Sequence, residues 1–319
     1  MSSTLPAVAL GSVALMLATP AAAERGDNPA GVQELVVAPE TLVDATLEGK
    51  PVKLAILSGG PDRLIVNAAT VDRIGLKPAL FVGRANLNVA GRREFEGRNR
   101  PVAFAVAGVR HKARALWFPQ APPGRGDGSI GPWGLAQPRV TFEFGAIRGA
   151  AEQRSDFPLF GNINNYSLTV YREGTFGTIV EFDLGSTSPY PVASAAAGAA
   201  IAQAYGGALS GPSWDIEIFF GIKRPVRLLT LDRPFKIGPL SFTKIAVRVR
   251  DRIDAGGRGS AIAEADTVED PAEIIVSAKV KGPPPVLTFR IPRASMAACS
   301  RLSFDKTAKR IELWCAPGG

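Results

Sequence analysis

The chain has 319 residues, 46% of them hydrophobic, with 34 glycines, 26 prolines, two cysteines and one histidine. That is enough apolar material for two cores of ordinary size, and it excludes a disordered chain or a small disulfide-stapled module. The net charge of +8 comes from Lys and Arg scattered through every segment. No basic run marks a nucleic-acid arm, so the charge reads as a solvated basic surface, with attraction to an anionic envelope or an acidic ligand as an addition.

Residues 1–23 have the shape of a secretory signal: an uncharged apolar stretch from Leu5 to Ala18, then Ala21-Ala22-Ala23 ahead of Glu24. No Lys or Arg precedes the apolar core, and the run is short for a membrane span. Cleavage after Ala23, no stable transmembrane span and a periplasmic or secreted location follow as expectations, with a retained N-terminal anchor as the alternative. Glycine and proline are plentiful and helical heptads are absent, a balance that favours short strands, tight turns and an all-β class. Period-two apolar strips occur at Val43–Leu47, Val52–Leu57, Asn86–Val89, Val102–Val106, Ala113–Phe118 and Val140–Phe144. The composition turns loop-like between Gly145 and Asn165, which predicts a first lobe over 33–148, a linker over 149–165 and a second lobe over 166–319.

The second half opens with strips at Leu168–Tyr171 and Thr178–Phe182 and then the Ala-rich Ala195–Tyr205, which predicts a helix. Strands are predicted again at Ile216–Phe220, Val226–Leu229, Ile245–Val249, Ile274–Val276 and Val286–Phe289, with Asp254–Pro271 as a long loop. The two cysteines, Cys299 and Cys315, flank a hairpin made of Leu302–Phe304 and Ile311–Trp314. Folding that hairpin about its middle brings the sulfurs opposite one another. In an oxidising compartment this predicts a disulfide, whereas the lone His111 is too distant in sequence to make a metal or thiol site with them.

The halves carry a repeat. Gly49, a strand and Ser58-Gly59-Gly60 stand against Gly174, a strand and Asp183-Leu184-Gly185, at the same spacing from the leading glycine. Here the chain resembles the pepsin and retropepsin superfamily of aspartic peptidases, above all exported bacterial members. Their lobes read strand, Asp-Thr/Ser-Gly, apolar strip and a brief helix ending in Leu-Gly-Leu. Ser58 to Val66 is similar in outline, Val71 to Leu76 matches the helix end, and Asp127-Gly128-Ser129-Ile130-Gly131 with Arg139–Phe142 resembles a later turn and strand. Phe182-Asp183-Leu184-Gly185-Ser186-Thr187 is the best match in the second half, and the terminal hairpin resembles the family's closing one. The chain departs from the pattern in three places: Ser58 stands where the first aspartate belongs, Leu184 where Thr or Ser is usual, and Ile275-Val276-Ser277 lacks a final glycine.

The resemblance implies two pseudo-repeated acid-protease-type β-barrel lobes with short helices, and a cleft between them. Two aspartates would share one proton and activate a water there; a serine cannot replace a carboxyl in that role. Asp183 is the candidate catalytic residue and Ser58 the degenerate position, with Gly59, Gly60, Gly185, Ser186 and Thr187 as cleft and loop residues. Asp62, four residues on, reads as a solvated turn aspartate. No cofactor or metal is expected. His111 lacks a Gly-x-Ser-x-Gly elbow, the Gly124–Gly128 loop lacks the Lys of a phosphate cradle, and Trp117, Trp133 and Trp214 read as packing or cleft residues. The expected function is a catalytically degenerate peptidase-like protein binding peptide or an envelope partner in the cleft. An active acidic endopeptidase with a second, unrecognised acid and a basic structural envelope protein are the alternatives.

Overall fold

Two-residue turns in the left-handed region set the first hairpins: Glu48 and Gly49 have φ of 50° and 75°, Ala107 and Gly108 49° and 77°. Such turns match the twist of antiparallel strands, so each fixes its register. The computed structural model describes residues 34–81, 83–89, 93–119, 124–145, 152–161, 167–174, 176–219, 221–249 and 287–317. After β1 (Glu34–Val37), lobe one runs β2 (Leu42–Leu47), β3 (Lys50–Ile56), β4 (Leu64–Val66), α1 (Ala68–Ile74), β5 (Arg84–Val89), β6 (Arg93–Val106), β7 (Val109–Trp117) and β8 (Gly128–Ile130). Next come β9 (Arg139–Glu143) and β10 (Gln153–Pro158). Lobe two comprises β11 (Thr169–Glu173), β12 (Phe176–Asp183), β13 (Val192–Ala193), α2 (Ala195–Tyr205), β14 (Ala208–Phe219), β15 (Ile222–Ile237), β16 (Leu240–Arg248) and β17 (Thr288–Pro292). The hairpin β18 (Cys299–Asp305) and β19 (Arg310–Cys315) ends the described chain.

The repeat seen in the sequence is a repeat of topology. Lobe one has the strand order β2-β3-β8-β4-β7-β6-β5 and lobe two β11-β12-β17-β13-β16-β15-β14, the same order element for element. Lobe one closes into a barrel because β2 also pairs with β6. In lobe two the corresponding gap between β11 and β15 is bridged by side chains: Tyr171 packs edge-on against Phe235 at 5.3 Å, and the Tyr171 and Tyr205 hydroxyls both donate to Glu173. The protein is all-β with short helices. Helix α2 covers the residues its alanine content predicted, started by the Ser194 hydroxyl, which accepts from the Ala197 N–H at 3.2 Å.

A third, five-stranded sheet in the order β1-β9-β18-β19-β10 joins the lobes. Its central pair brings together equivalent strands of the two halves, with Thr141 opposite Ser303 and their hydroxyls 2.6 Å apart. The inner face buries Val140, Phe142, Leu302, Phe304, Ile311 and Leu313 in a core continuous with both lobes. On the outer face Glu312 is 0% exposed and is held by Arg139, by Arg310 at 2.6 Å and by Arg154 at 3.6 Å. The Arg301 guanidinium lies 4.2 Å over the Trp314 ring on the same face.

The Cys299–Cys315 disulfide is present, between residues directly opposite in the hairpin. The expected linker over 149–165 contains a strand instead: β10 pairs with β19 along its whole length and forms an edge of the shared sheet. Its polar residues face outward, which is why it reads as loop. The signal at 1–23, the loop at 254–271 and the strand at 274–276 lie outside the described residues.

Candidate functional site

Each lobe presents one loop to the other. In lobe one, β3 continues to Leu57, whose N–H donates to the Ile130 carbonyl at 3.0 Å, and the chain then turns through Ser58, Gly59 and Gly60, where the Gly60 N–H returns to the Leu57 carbonyl at 3.1 Å. In lobe two, β12 ends at Asp183 and the Ser186 N–H returns to its carbonyl at 3.2 Å. The loops touch: the buried Ser58 Oγ accepts from the Leu184 N–H at 2.9 Å. A Cβ on Gly59 would sit 2.7 Å from the Asp183 Cβ, and one on Gly60 2.6 Å from the Leu57 Cβ, so only glycine fits either position. The structure thus brings together Ser58, Gly59, Gly60, Asp183 and Gly185, with Ser186 and Thr187 following in the second loop.

The register shifts the alignment of the two halves by one residue from the one read in the sequence. The first hairpin pairs Leu47 with Lys50 around Glu48-Gly49, and the second pairs Glu173 with Phe176. Counting inward from Lys50 and Phe176, the counterpart of Asp183 is Leu57, and the counterpart of Leu184 is Ser58. The parallel pairings agree, because Ile56 lies opposite Ile130 and Phe182 opposite Ile291. Ser58 is therefore the counterpart of Leu184, and its hydroxyl joins the two loops. Leu57, an apolar residue, is the lobe-one counterpart of Asp183. Aligning on the leading glycines shifts the comparison by one residue, because Gly49 is the second residue of its turn and Gly174 the first of its own. The sequence held the signal, but only paired strand ends reveal it.

The Asp183 carboxylate accepts from the Gly185 N–H at 3.0 Å on one oxygen and pairs with Arg290 at 3.5 Å on the other. Arg290, on β17, also donates to Glu181 at 3.2 Å and to the Ile218 carbonyl at 3.0 Å. It thereby ties the floor of the site to β14. Arg290-Ile291-Pro292, rather than Ile275-Val276-Ser277, is the second-lobe counterpart of Ser129-Ile130-Gly131. Sequence reasoning missed Arg290 because it fixed this element too early in the chain.

Asp62 is buried, with 0% exposure, and is no solvated turn residue. Its carboxylate accepts from the Trp133 N–H at 2.8 Å and from the Ser167 hydroxyl at 2.9 and 3.1 Å. Burial pushes the carboxyl up to about 7, against the opposing pull of those donors and of the Lys306 charge. Its hydrogen bonds are with the segment around Trp133 and with Ser167, and none is made to Asp183. Asp127 pins α1 to β3, accepting from the Lys53 N–H, Thr70 and Arg73. His111 sits edge-on against Phe104 at 5.3 Å, and burial and then the nearby Lys306 charge lower its pKa. Trp117 is core, and Trp214 packs on Tyr190 at 6.5 Å.

Two hairpins, β5–β6 and β14–β15, occupy equivalent places in the lobes. Ile222, at the tip of the second, is buried in a lobe-one cluster with Ile65, Phe95, Leu116 and Phe118. Beside the Asp183 loop lies a cavity of about 500 Å³ lined by Gly185, Ser186, Thr187, Ser188, Arg293 and Met296 among others. Among the described residues no group of three or more His, Cys, Asp or Glu side chains could hold a metal ion, and no helix is long and apolar enough to cross a membrane. In comparison with known proteins, no protein-family model and no curated protein matches the chain.

Proposed function

We propose that this is an exported, two-lobe protein related to the aspartic peptidases that has lost peptidase chemistry and binds an extended peptide segment between its lobes. The equivalence of Leu57 and Asp183 in the two lobes carries the reading. Peptide hydrolysis by this constellation needs two carboxyls sharing a proton, one to activate water and one to protonate the carbonyl. At the lobe-one counterpart of Asp183 stands an alkyl side chain, and the group paired with its carboxylate is a guanidinium, which has no proton to exchange in the working range. Glu181, the acid that shares Arg290, is on the same strand as Asp183 and is neutralised by the same cation.

What remains supports binding. The glycine-bearing loops are locked together, a cavity flanks the second loop, and hairpins of the two lobes meet at Ile222. Strand-like main-chain pairing, with pockets for alternate side chains, needs no catalytic group. Unfolded protein substrates incubated between pH 3 and 8, with and without a transition-state-mimicking inhibitor of aspartic peptidases, test the chemistry. Calorimetric titration with extended peptides of varied sequence tests the binding. The expected result is no inhibitor-sensitive cleavage, and peptide binding that is lost in Thr187→Trp, which fills the cavity. Inhibitor-sensitive cleavage abolished by Asp183→Ala would establish the active peptidase instead, and failure of every peptide to bind would leave a structural envelope protein.

A further inference from the structure

The segment joining α1 to β5 carries the most exposed large apolar side chains among the described residues, Leu80 at 93% and Phe81 at 97%. Water-exposed Leu and Phe side by side are costly to solubility, and here they are not at a fraying end. The loop base is fastened on both sides by one strand. The Ala79 N–H donates to the Asn99 carbonyl at 3.0 Å and the Asn99 N–H to the Gly83 carbonyl at 2.9 Å. The Asn99 side-chain amide donates to the Arg84 carbonyl at 2.6 Å, and Arg100 to the Lys77 carbonyl at 3.3 Å. Asn99 is itself buried and receives a hydrogen bond from Arg114. The two apolar side chains are thus presented outward from a fixed base.

That base is cationic. Lys77, Arg84, Arg98, Arg100 and Arg114 belong to the loop, to the strands that fasten it, or to residues bonded to it, and none of them is in an ion pair among the described residues. Asp72 on α1 and Glu96 on β6 are the exposed acids of the neighbouring elements among the described residues, which leaves the collar net positive. We propose that this loop is a membrane prong: Leu80 and Phe81 enter the headgroup and acyl boundary of a bilayer while the collar of Lys and Arg rests on anionic headgroups. A protein partner of ordinary interface size would meet a broader patch with an apolar centre. A narrow apolar tip ringed by cations fits the interfacial layering of a bilayer, where insertion and surface charge act together. Because the loop leads directly into β5, docking would hold the β5–β6 hairpin, and with it the site, near the lipid surface. This surface is separate from the interlobe site, and the inference stands whether or not peptide binds there.

The test uses the full chain with vesicles of phosphatidylglycerol in phosphatidylcholine and of phosphatidylcholine alone. Residues 1–23 are themselves apolar, so the readout is placed on the loop: Phe81→Trp should give a blue-shifted indole emission, relative to the parent background, on anionic vesicles and not on neutral ones. In sedimentation, Leu80→Ser with Phe81→Ser should lower partitioning by about 100-fold, and Lys77→Gln with Arg84→Gln by about 20-fold at low salt. All these side chains are exposed, so circular dichroism of each variant should match the parent. An unshifted indole on anionic vesicles, equal shifts on neutral ones, or unchanged partitioning of the serine variant would each overturn the proposal.

Discussion

Replacing Asp62 by asparagine removes a titrating charge from a fully buried position while keeping an oxygen for the Trp133 and Ser167 donors. The Asp62 carboxyl titrates at about 7 when folded against an ordinary 3.8. The folded pKa is the higher one, so the folded protein holds its proton more tightly, and stability is fully present below pH 3.8 and declines as pH rises through 7. At 1.36 kcal/mol per unit the whole decline is about 4 kcal/mol, of which about 2–3 kcal/mol falls between pH 5 and 8. The substituted amide does not titrate. It brings new donors into a buried site, which costs about 1–3 kcal/mol at every pH if they find no acceptor. The expected outcome is a variant less stable than the parent at pH 5 that gains about 2–3 kcal/mol on it by pH 8, whatever the fixed cost. Urea titration of both proteins at the two pH values, with the disulfide intact, measures that change. A difference between parent and variant that stays constant within about 0.5 kcal/mol would refute the buried, protonated reading of Asp62.

Leu57→Asp sets a second carboxyl beside Asp183 and should destabilise the protein near neutral pH by about 1–3 kcal/mol, the cost easing on acidification as the pair takes up a shared proton; a cost that is flat with pH would mean that positions 57 and 183 do not face one another. Glu312→Gln leaves Arg139, Arg310 and Arg154 around an uncharged amide on the shared sheet, and denaturant titration should show a loss of about 3–5 kcal/mol. A loss under about 1 kcal/mol would mean that the surrounding guanidiniums are fully hydrated without it.

Much of the fold was legible because period-two apolar strips report strands that bury one face. The helix at Ala195–Tyr205 and the terminal hairpin with its disulfide were read in place for the same local reasons. Elements that the sequence concealed are short or lack that contrast: β4, β8 and β13 are three residues or fewer, and both β4 and β13 are buried throughout. β10 is an edge strand whose polar face meets water. The site was legible in outline, since Asp183 and the two glycine-bearing loops do come together. The one-residue offset between its loops was not. Whether Leu57 or Ser58 is the counterpart of Asp183 depends on which residues occupy the turn, and Asp62 gives no sequence sign that Ser167, distant in the chain, will close over it.

The shared sheet has a consequence for how the chain reaches its native state. β9, which follows lobe one, lies between β1 from the start of the described chain and β18 from near its end. During synthesis lobe one can pair its own seven strands early, but the apolar inner face of β9, with Val140 and Phe142, stays without a neighbour on one side until Leu302 and Phe304 arrive. Pairing at such sequence separation is slow, and an open apolar strand edge is an aggregation hazard while it waits. Arrival of β18 and β19, and closure of the hairpin that carries Cys299 and Cys315, is therefore the step that completes the sheet joining the lobes. Truncation of the final strand should leave each lobe its own seven strands but take from β10 its neighbour and from Cys299 its partner, so the sheet that joins the lobes stays open.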